Sequence, residues 1–334
     1  MTGPKVYPIC VIGGGAAGTM SALRAVLNND ECLFFTGTPL NKKRSRALWV
    51  KKVENIPGFS VYAKGIEEPN RQTLQWIENS PYGEKFHHKK NIGVDKLKKL
   101  PSGNFEIQDS KGETYVAKYV VLCTGVMDVQ PEIQGSIASV FDYANAQIID
   151  YCLICDGHHT LRKKTAVLGH TDSAAWVAIM LYERYEITEL TILSNGKKIE
   201  FGDETSNLIK LYGIKIETSL IKEIKGHQKG NVLEGFLLEN SSMVPADICF
   251  VALGMIVYNE LAKQLGADLD SRGFVKTDDV GQSSILGLYI AGDLRANSRK
   301  QIYTSWDHAV SSVNAINMRL RTEKRQKLLN SGNS

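Results

Sequence analysis

Residues 6–18 read Val-Tyr-Pro-Ile-Cys-Val-Ile-Gly-Gly-Gly-Ala-Ala-Gly, a short apolar run that ends in a glycine-rich turn. The run is typical of a buried strand, and residues 19–27 behind the turn are typical of a helix. Residues 31–35 again have the composition of a strand. The order strand, glycine turn, helix, strand predicts one βαβ unit of the kind that binds a dinucleotide.

The glycines of this turn have separate physical roles. Gly13 permits the tight turn, Gly15 lets backbone approach a pyrophosphate, and Gly18 lets the helix pack closely on the strand. The helix that starts near Ala16 and Ala17 presents free N–H groups and a positive dipole end to phosphates. The sequence therefore predicts a phosphate-binding turn at residues 13–18.

A second unit of the same type begins at residue 165. Residues 165–168 are typical of a strand, and 173–185 of a helix that follows the turn Gly169-His-Thr-Asp-Ser-Ala174. We therefore predict an α/β fold with two Rossmann-like dinucleotide-binding domains, the second inserted into the first. The predicted boundaries are 1–127 and 253–334 for the first domain and 128–252 for the second, which carries a CxxC motif.

Composition narrows the class of protein. The chain has 334 residues, a net charge of +4 and 43% hydrophobic residues, which is ordinary for a globular protein. No apolar run approaches the ~18 residues of a membrane span, and no signal peptide is visible. Six cysteines without a regular framework favour a reducing cytoplasm. We predict a cytoplasmic protein without membrane or nucleic-acid partners.

Basic residues are concentrated in two places. Residues 42–52 contain six basic side chains and no acid. Residues 319–327, at the end of a last helix predicted over about 305–321, are also strongly basic. A solvated loop and a frayed tail explain these stretches without any function. A docking surface for an acidic protein is the functional alternative, because complementary charge steers association.

The most informative motif is Cys152-Leu-Ile-Cys155-Asp156-Gly157. Two thiols at this spacing can close a disulfide, and an adjacent Asp can transfer a proton as the disulfide opens. Half of a zinc site, completed by His158 and His159, is an alternative, and so is an accidental pair. No metal site is predicted. The other cysteines are predicted to be buried small hydrophobic residues: Cys10, Cys32, Cys123 and Cys249.

These motifs together make the chain resemble the low-molecular-weight thioredoxin reductases over nearly its whole length, and a dithiol between two nucleotide units is the layout of a flavin-dependent disulfide reductase. The resemblance rests on an ordered set of segments. They are the turn 13–18, Thr36-Gly37, Val53-Glu-Asn-Ile-Pro-Gly58, Cys123-Thr-Gly125, the dithiol motif, Ala291-Gly-Asp293 and Lys300-Gln-Ile-Tyr-Thr-Ser305.

The resemblance implies FAD as cofactor, a thioredoxin-like partner and a homodimer. It implies that 1–127 and 253–334 form an FAD-binding domain and 128–252 a degenerate NAD(P)H-binding-like domain. It assigns Cys155 as the residue that receives electrons from the flavin, Cys152 as the exchange cysteine and Asp156 as the acid/base. His158 and His159 are interpreted as simple surface histidines. The FAD-binding residues that the resemblance implies are Gly13, Gly15, Ala16, Ala17, Gly18, Thr36, Gly37, Asn55, Cys123, Thr124, Gly125, Gly292, Asp293, Lys300, Gln301 and Ile302.

The second nucleotide turn departs from the family pattern Gly-x-Gly-x-x-Ala. Thr171 stands in place of the central glycine, and its side chain would crowd a pyrophosphate. Where the family has a His-Arg-Arg cluster for the 2′-phosphate of NADPH, this chain has Ser194-Asn195-Gly196. These losses predict that NADPH is not the usual electron donor.

Several hypotheses about the donor and the function remain open. A ferredoxin-linked enzyme would use a docking surface of Lys42, Lys43, Arg44, Arg46, Lys51 and Lys52, whereas a diflavin enzyme would hold a second FAD near Gly169–Ala174. An ordinary NAD(P)H-dependent thioredoxin reductase is the other enzymatic alternative, and a flavin-bound redox sensor is the non-enzymatic one. Trp306 and His308 either cover the flavin or pack in the core.

Overall fold

The computed structural model describes residues 5–37, 46, 50–227 and 229–331, and its elements follow one another in three runs. The first run comprises β1 (Val6–Ile12), α1 (Ala16–Leu27), β2 (Cys32–Phe35), α2 (Glu67–Asn79), β3 (Phe86–Lys89), β4 (Val94–Lys99), β5 (Phe105–Asp109), β6 (Thr114–Leu122) and β7 (Val126–Asp128). The second comprises α3 (Ala138–Asn145), β8 (Ile149–Asp150), α4 (Leu153–Asp156), β9 (Lys164–Leu168), α5 (Asp172–Arg184), β10 (Glu189–Leu193), α6 (Asp203–Leu211), β11 (Lys215–Glu217), β12 (Ile221–Gly226), β13 (Leu233–Leu238), β14 (Met243–Pro245) and β15 (Ile248–Val251). The third comprises β16 (Met255–Val257), α7 (Glu260–Gln264), β17 (Leu288–Ile290) and α8 (Ile302–Ser331).

The chain forms two compact units. The first unit contains residues 1–51, 61–127 and 257–334, and the second contains residues 52–60 and 128–256. The short segment 52–60 therefore belongs to the second unit, whereas the sequence-based division placed it in the first. The assignment of each unit to a nucleotide cofactor stays a prediction.

The first unit is built on a seven-stranded sheet with the order β3-β2-β1-β6-β5-β4, in which β17 also pairs with β6. β1, β2, β3, β6 and β17 run parallel to one another, while β5 is antiparallel to both β4 and β6. Ile12 is level with both Phe35 and Leu122, and Leu122 is level with Ile290. The loops after these four strands consequently emerge at one edge of the sheet.

Both faces of this sheet are buried, which explains the continuous apolar run of β1. Ile9 and Val11 belong to the core that also contains residues of α1 and α8. Cys10 and Ile12 point into a second core on the opposite face. Every residue of β2 is also buried.

The second unit contains a five-stranded sheet with the order β11-β10-β9-β15-β8. Its neighbouring strands are all parallel. A separate antiparallel sheet of β12, β13 and β14 lies between β11 and β15 in the sequence. The mixed α/β fold with two Rossmann-like domains, predicted from the glycine turns, is confirmed.

The last helix is longer than predicted. The sequence suggested a helix over 305–321 followed by a frayed basic tail, but α8 extends from Ile302 to Ser331. Glu323 within the predicted tail accepts a hydrogen bond of 2.8 Å from the hydroxyl of Tyr119 and is ion-paired with Lys118. These contacts connect the extension to β6, so the prediction of a frayed tail is wrong. None of the helices in the described ranges is both long and apolar enough to cross a membrane.

Candidate active site

The glycine turn after β1 is shaped by close approach of backbone to backbone. Gly13 has a φ of +120°, and a Cβ at this residue would lie 2.3 Å from the carbonyl oxygen of Cys123. A Cβ at Gly18 would lie 1.7 Å from the carbonyl oxygen of Gly13. The N–H of Gly13 donates to the carbonyl of Phe35 at 2.8 Å. The turn therefore accepts only glycine at residues 13 and 18, as the sequence pattern predicted.

Several predicted cofactor residues meet at the edge of the sheet where this turn lies. Thr36 and Gly37 follow β2, and residues 123–125 follow β6. The hydroxyl of Thr36 accepts a hydrogen bond of 3.1 Å from the N–H of Asn91, and that of Thr124 donates to the carbonyl of Tyr258 at 2.6 Å. These two hydroxyls hold the loops in place. Burial raises the pKa of the Cys123 thiol to about 12, so this cysteine is inert.

The segment after β17 joins the same edge. Gly292 has a φ of +79°, and a Cβ there would lie 2.8 Å from the Cβ of Ala17 in the first turn of α1. Asp293 accepts a hydrogen bond of 3.3 Å from the guanidinium of Arg46. The first unit therefore brings residues 13–18, 36–37, 123–125 and 292–293 together around the start of α1.

Lys300, Gln301 and Ile302 lie at the start of α8. Gln301 is buried, and the ammonium of Lys300 donates to the carbonyl of Arg295 at 2.6 Å. Burial lowers the pKa of Lys300 to about 8, although the nearby carboxylate of Asp293 acts in the opposite direction. Lys300 is thus a partly desolvated cation beside the predicted cofactor residues.

The first unit fits an FAD whose pyrophosphate lies over the glycine turn. Gly15 is the N-cap of α1, so the first N–H groups of this 12-residue helix have no acceptor within the helix itself. The Oγ1 of Thr19 and the Nδ1 of His308 are buried and have no hydrogen-bond partner among the described residues. A bound polar cofactor would satisfy such unpaired polar atoms and N–H groups. We call the turn at residues 13–18 the glycine cradle.

A substitution at Gly13 tests this cradle. Gly13→Ala should prevent stable FAD binding, because the added methyl group would clash with the carbonyl of Cys123 and displace the turn. Gly112→Ala is the matched control, since Gly112 also has positive φ (+85°) but open space around its Cβ position. The measurement is the FAD:protein ratio of each purified variant. Equal ratios for both variants would contradict the assignment of the turn.

The dithiol lies in the second unit. Asn55 also belongs to that unit, so the structure of the first unit alone does not bring it to the glycine cradle. Cys152 and Cys155 form a disulfide, and Cys152 is the N-cap of the short helix α4. The N–H of Cys155 points to the Sγ of Cys152 at 3.2 Å. An N–H donor and a helix N-terminus both favour a thiolate at Cys152 once the disulfide is reduced. The four other cysteines are free and buried, which confirms that prediction.

A cluster of titratable side chains follows the dithiol directly. His159 Nδ1 lies 2.9 Å from a carboxylate oxygen of the buried Asp150, and its Nε2 lies 2.7 Å from Glu54 Oε2. The bond to Asp150 is the main reason that the pKa of His159 is raised to about 9, although partial burial opposes it. Asp156 completes a group of three with Asp150 and His159, whose ligand atoms lie within 4.8 Å of one another. The interpretation of His159 as a simple surface histidine is therefore wrong, whereas His158 is exposed.

The second nucleotide turn is hydrogen-bonded to the segment that follows β10. Asp172, the first residue of α5, accepts hydrogen bonds from the N–H of Gly202 at 2.7 Å and from the hydroxyl of Thr205 at 2.6 Å. These bonds lower the pKa of the Asp172 carboxyl, which therefore stays ionised. The N–H of Glu200 donates to the carbonyl of His170 at 2.7 Å. The loop after β10 is thus bonded to the start of α5, the part of a dinucleotide-binding unit that holds a pyrophosphate.

The residues after β10 also stabilise the fold through hydrogen bonds. The side-chain amide of Asn195 donates to the carbonyl of Glu132 at 2.9 Å and accepts from the N–H of Ile221 at 2.8 Å. Ser194 is buried, and its Oγ has no hydrogen-bond partner in the described part of the chain. Lys197 and Lys198 are exposed. A carboxylate thus stands at the start of α5, and residues 194–198 contain no arginine.

The basic segment is only partly described. Lys42, Lys43 and Arg44 lie outside the described residues, while Lys51 and Lys52 lie within them. Arg46 is ion-paired with Asp293 and its side chain is only 18% exposed, so it is less accessible than a docking residue would be. His308 is buried, and Trp306 is half-buried.

Sequence reasoning missed three functional candidates in the second unit. They are Asp172 at the start of α5, and Glu54 and Asp150 around His159. An acid inside a phosphate-binding turn was a readable signal for Asp172. Glu54 stands in the family segment 53–58, but nothing in the sequence linked it to His159, which lies 105 residues further along the chain.

Two dinucleotide-type units with a disulfide after a short parallel strand define a flavoprotein disulfide oxidoreductase. The chain belongs to the pyridine nucleotide-disulphide oxidoreductase family, whose sequence profile matches residues 7–312. It is an FAD-dependent disulfide oxidoreductase of the thioredoxin reductase type.

Similar proteins cover nearly the whole chain. The thioredoxin reductase of Listeria monocytogenes is 26% identical, with 90% of each chain covered. That of Mycoplasma genitalium is 25% identical over 92% of this chain and 93% of its own. Among solved structures, thioredoxin reductase from Streptococcus pyogenes has a TM-score of 0.80 at 21% identity, covering 95% of this chain and 99% of its own. The structural likeness establishes a shared fold.

Proposed function

We propose that this enzyme reduces the disulfide of a thioredoxin-type protein through Cys152 and Cys155, and that NADPH is not its electron donor. FAD, when bound by the residues around the glycine cradle, supplies the two electrons. The names of the relatives support a thioredoxin-type partner. A homodimer and a cytoplasmic location stay predictions from the resemblance and the composition.

Electrons, protons and sulfur–sulfur bonds balance in the proposed reaction of the dithiol. Two electrons and one proton open the Cys152–Cys155 disulfide to one thiolate and one thiol. The thiolate of Cys152, favoured by the N–H of Cys155, attacks one sulfur of the partner disulfide and forms a mixed disulfide. Cys155 then attacks Cys152, which releases the partner as a dithiol after protonation. Asp156 is the proposed proton carrier, because it follows Cys155 directly.

One observation carries the proposal about the donor. The carboxylate of Asp172 binds the Gly202 N–H and the Thr205 hydroxyl at the start of α5. This negative charge stands in the first turn of α5 and would repel a nucleotide phosphate held at that helix N-terminus. The absence of arginines among residues 194–198 removes the expected partners of a 2′-phosphate as well.

Reduced ferredoxin is the donor we favour, with two molecules each delivering one electron for every disulfide that is reduced. The basic residues between 42 and 52 other than Arg46 would complement an acidic electron carrier, which needs only to approach the protein surface. The alternative is a second FAD near residues 169–174, beside the exposed Trp176. A FAD:protein ratio of one supports the ferredoxin proposal, and a ratio of two supports the diflavin alternative.

Charge reversal tests the ferredoxin proposal. Changing Lys42, Lys43 and Arg44 to Glu should slow flavin reduction by reduced ferredoxin about tenfold or more, because the attraction that steers docking becomes repulsion. The rate with the wild-type protein should also fall with salt, since the Debye length shrinks from ~10 Å at 0.1 M to ~3 Å at 1 M. Both rates are measured by anaerobic stopped-flow absorbance.

The matched control reverses three exposed basic residues of α8: Lys324, Arg325 and Lys327. It changes the net charge by the same amount but at the C-terminal end of the chain. This control should retain most of the wild-type rate, and dithionite should reduce all three proteins equally. Equal slowing in both charge-reversed variants would contradict a docking surface at residues 42–52.

A further inference from the structure

Three side chains converge on one point of the second unit beside the dithiol. Glu54 Oε2 lies 2.9 Å from Nε2 of His158 and 2.7 Å from Nε2 of His159. Their three ligand atoms all lie within 4.8 Å of one another, and the His158 and His159 rings are 4.4 Å apart between centroids. Nothing in the proposed redox chemistry uses this arrangement.

Asp150 fixes the orientation of the His159 ring by binding the ring nitrogen that does not contact Glu54. Its Nδ1 lies 2.9 Å from Asp150 Oδ2, and the Asp150 side chain is only 4% exposed. This bond leaves Nε2 of His159 directed at Glu54. A carboxylate that holds the far nitrogen of a histidine, so that the near nitrogen can bind a metal, recurs in metal sites and strengthens them.

We propose that Glu54, His158 and His159 form a binding site for a divalent transition metal, zinc in particular. Two imidazole nitrogens and one carboxylate oxygen form a donor set that suits zinc, with a fourth position open to water. At Zn–N and Zn–O distances of about 2.0–2.2 Å, neighbouring tetrahedral ligand atoms lie ~3.3 Å apart. The present separations of 2.7 and 2.9 Å need to widen only by about half an ångström.

Accessibility also favours this site. The side chains of His158 and Glu54 are 51% and 39% exposed, so zinc can enter from solvent without unfolding the unit. The site differs from a zinc site made with the CxxC thiols, because Cys152 and Cys155 are joined in a disulfide. Zinc binding should therefore occur in the oxidised enzyme.

The test is titration of the oxidised FAD-loaded enzyme with zinc, followed by competition with a chromophoric chelator. One zinc per chain should bind. Glu54→Gln and His158→Ala should each weaken binding by at least about tenfold, and Asp150→Asn by about tenfold to a hundredfold through His159. His227→Ala removes an exposed histidine elsewhere in the unit and should leave the zinc affinity unchanged.

Flavin content and melting temperature show whether each variant is folded. Because His158 is exposed, His158→Ala should disturb folding least. Zinc affinity that is unchanged in folded His158→Ala and Glu54→Gln would overturn the proposal. So would a failure of the wild-type enzyme to bind zinc below about 100 μM, which corresponds to a free energy of only ~5.5 kcal/mol. Binding that arises only after reduction and disappears in Cys152→Ser would assign the metal to the thiols and equally overturn it.

Discussion

Cys155→Ser should lower disulfide turnover by at least about a thousandfold while FAD remains bound, because one member of a catalytic pair acting as a unit is lost. The substitution leaves Cys152 without the partner that forms the disulfide in the second unit. A mixed disulfide with the substrate could then form but could not be resolved from within the chain. The glycine cradle belongs to the first unit, so its ability to hold FAD should be unaffected.

The measurement is thioredoxin-disulfide reduction with dithionite-reduced enzyme, together with the FAD:protein ratio. Cys249→Ala is the matched control, since Cys249 is a buried free cysteine of the same unit, with a pKa raised by burial. Denatured wild-type protein should show four thiols when oxidised and six when reduced. Turnover by Cys155→Ser at the rate of the control would refute the role of the dithiol.

NADPH should bind this enzyme on the order of a hundredfold or more weakly than a site with paired arginines would. Each missing charge-assisted bond to a phosphate costs ~1.5–3 kcal/mol, and two such bonds are missing after β10. The carboxylate of Asp172, tied to Gly202 and Thr205, adds repulsion at the start of α5. Micromolar NADPH should therefore leave the flavin oxidised under anaerobic conditions.

Stopped-flow absorbance at the flavin maximum measures this effect directly. NADH should be equally ineffective, because no acidic residue stands among residues 194–198 to bind a ribose. Dithionite is the control that shows the flavin to be reducible. Rapid bleaching of the flavin by micromolar NADPH would contradict the proposal that the second nucleotide turn no longer binds NADPH.

The sequence predicted those parts of the fold that depend on local pattern. The apolar run of β1 and its glycine turn located the first cradle, and Gly13 and Gly18 proved to be sterically required. Isolated cysteines in apolar runs, such as Cys10 and Cys249, proved to be buried. Each of these predictions needed only neighbours within a few residues and the physical limits of a strand or a turn.

The parts that were missed depend on contacts between distant residues. The extension of α8 is connected to β6 through Glu323 and Tyr119, which are 204 residues apart in sequence. The pairing of Arg46 with Asp293 withdraws one predicted docking residue and spans 247 positions. A single sequence contains no periodicity from which such pairs could be read.

At the second nucleotide turn, one feature could be predicted from the local sequence and another depends on contacts between distant residues. Thr171 in place of glycine was visible in the sequence and predicted a degraded site. The loop after β10 adds contacts that the sequence did not show, since its Glu200 and Gly202 N–H groups bond to residues 170 and 172. Only the fold reveals that this loop is hydrogen-bonded to the turn and holds the Asp172 carboxylate there.

An anaerobic titration that counts electrons tests the central claim most directly. With dithionite, the purified enzyme should take up about four electrons per chain, two for one FAD and two for the Cys152–Cys155 disulfide, and should expose two additional thiols. The same titration with NADPH should transfer none. Stoichiometric reduction of the flavin and the disulfide by NADPH would contradict the account.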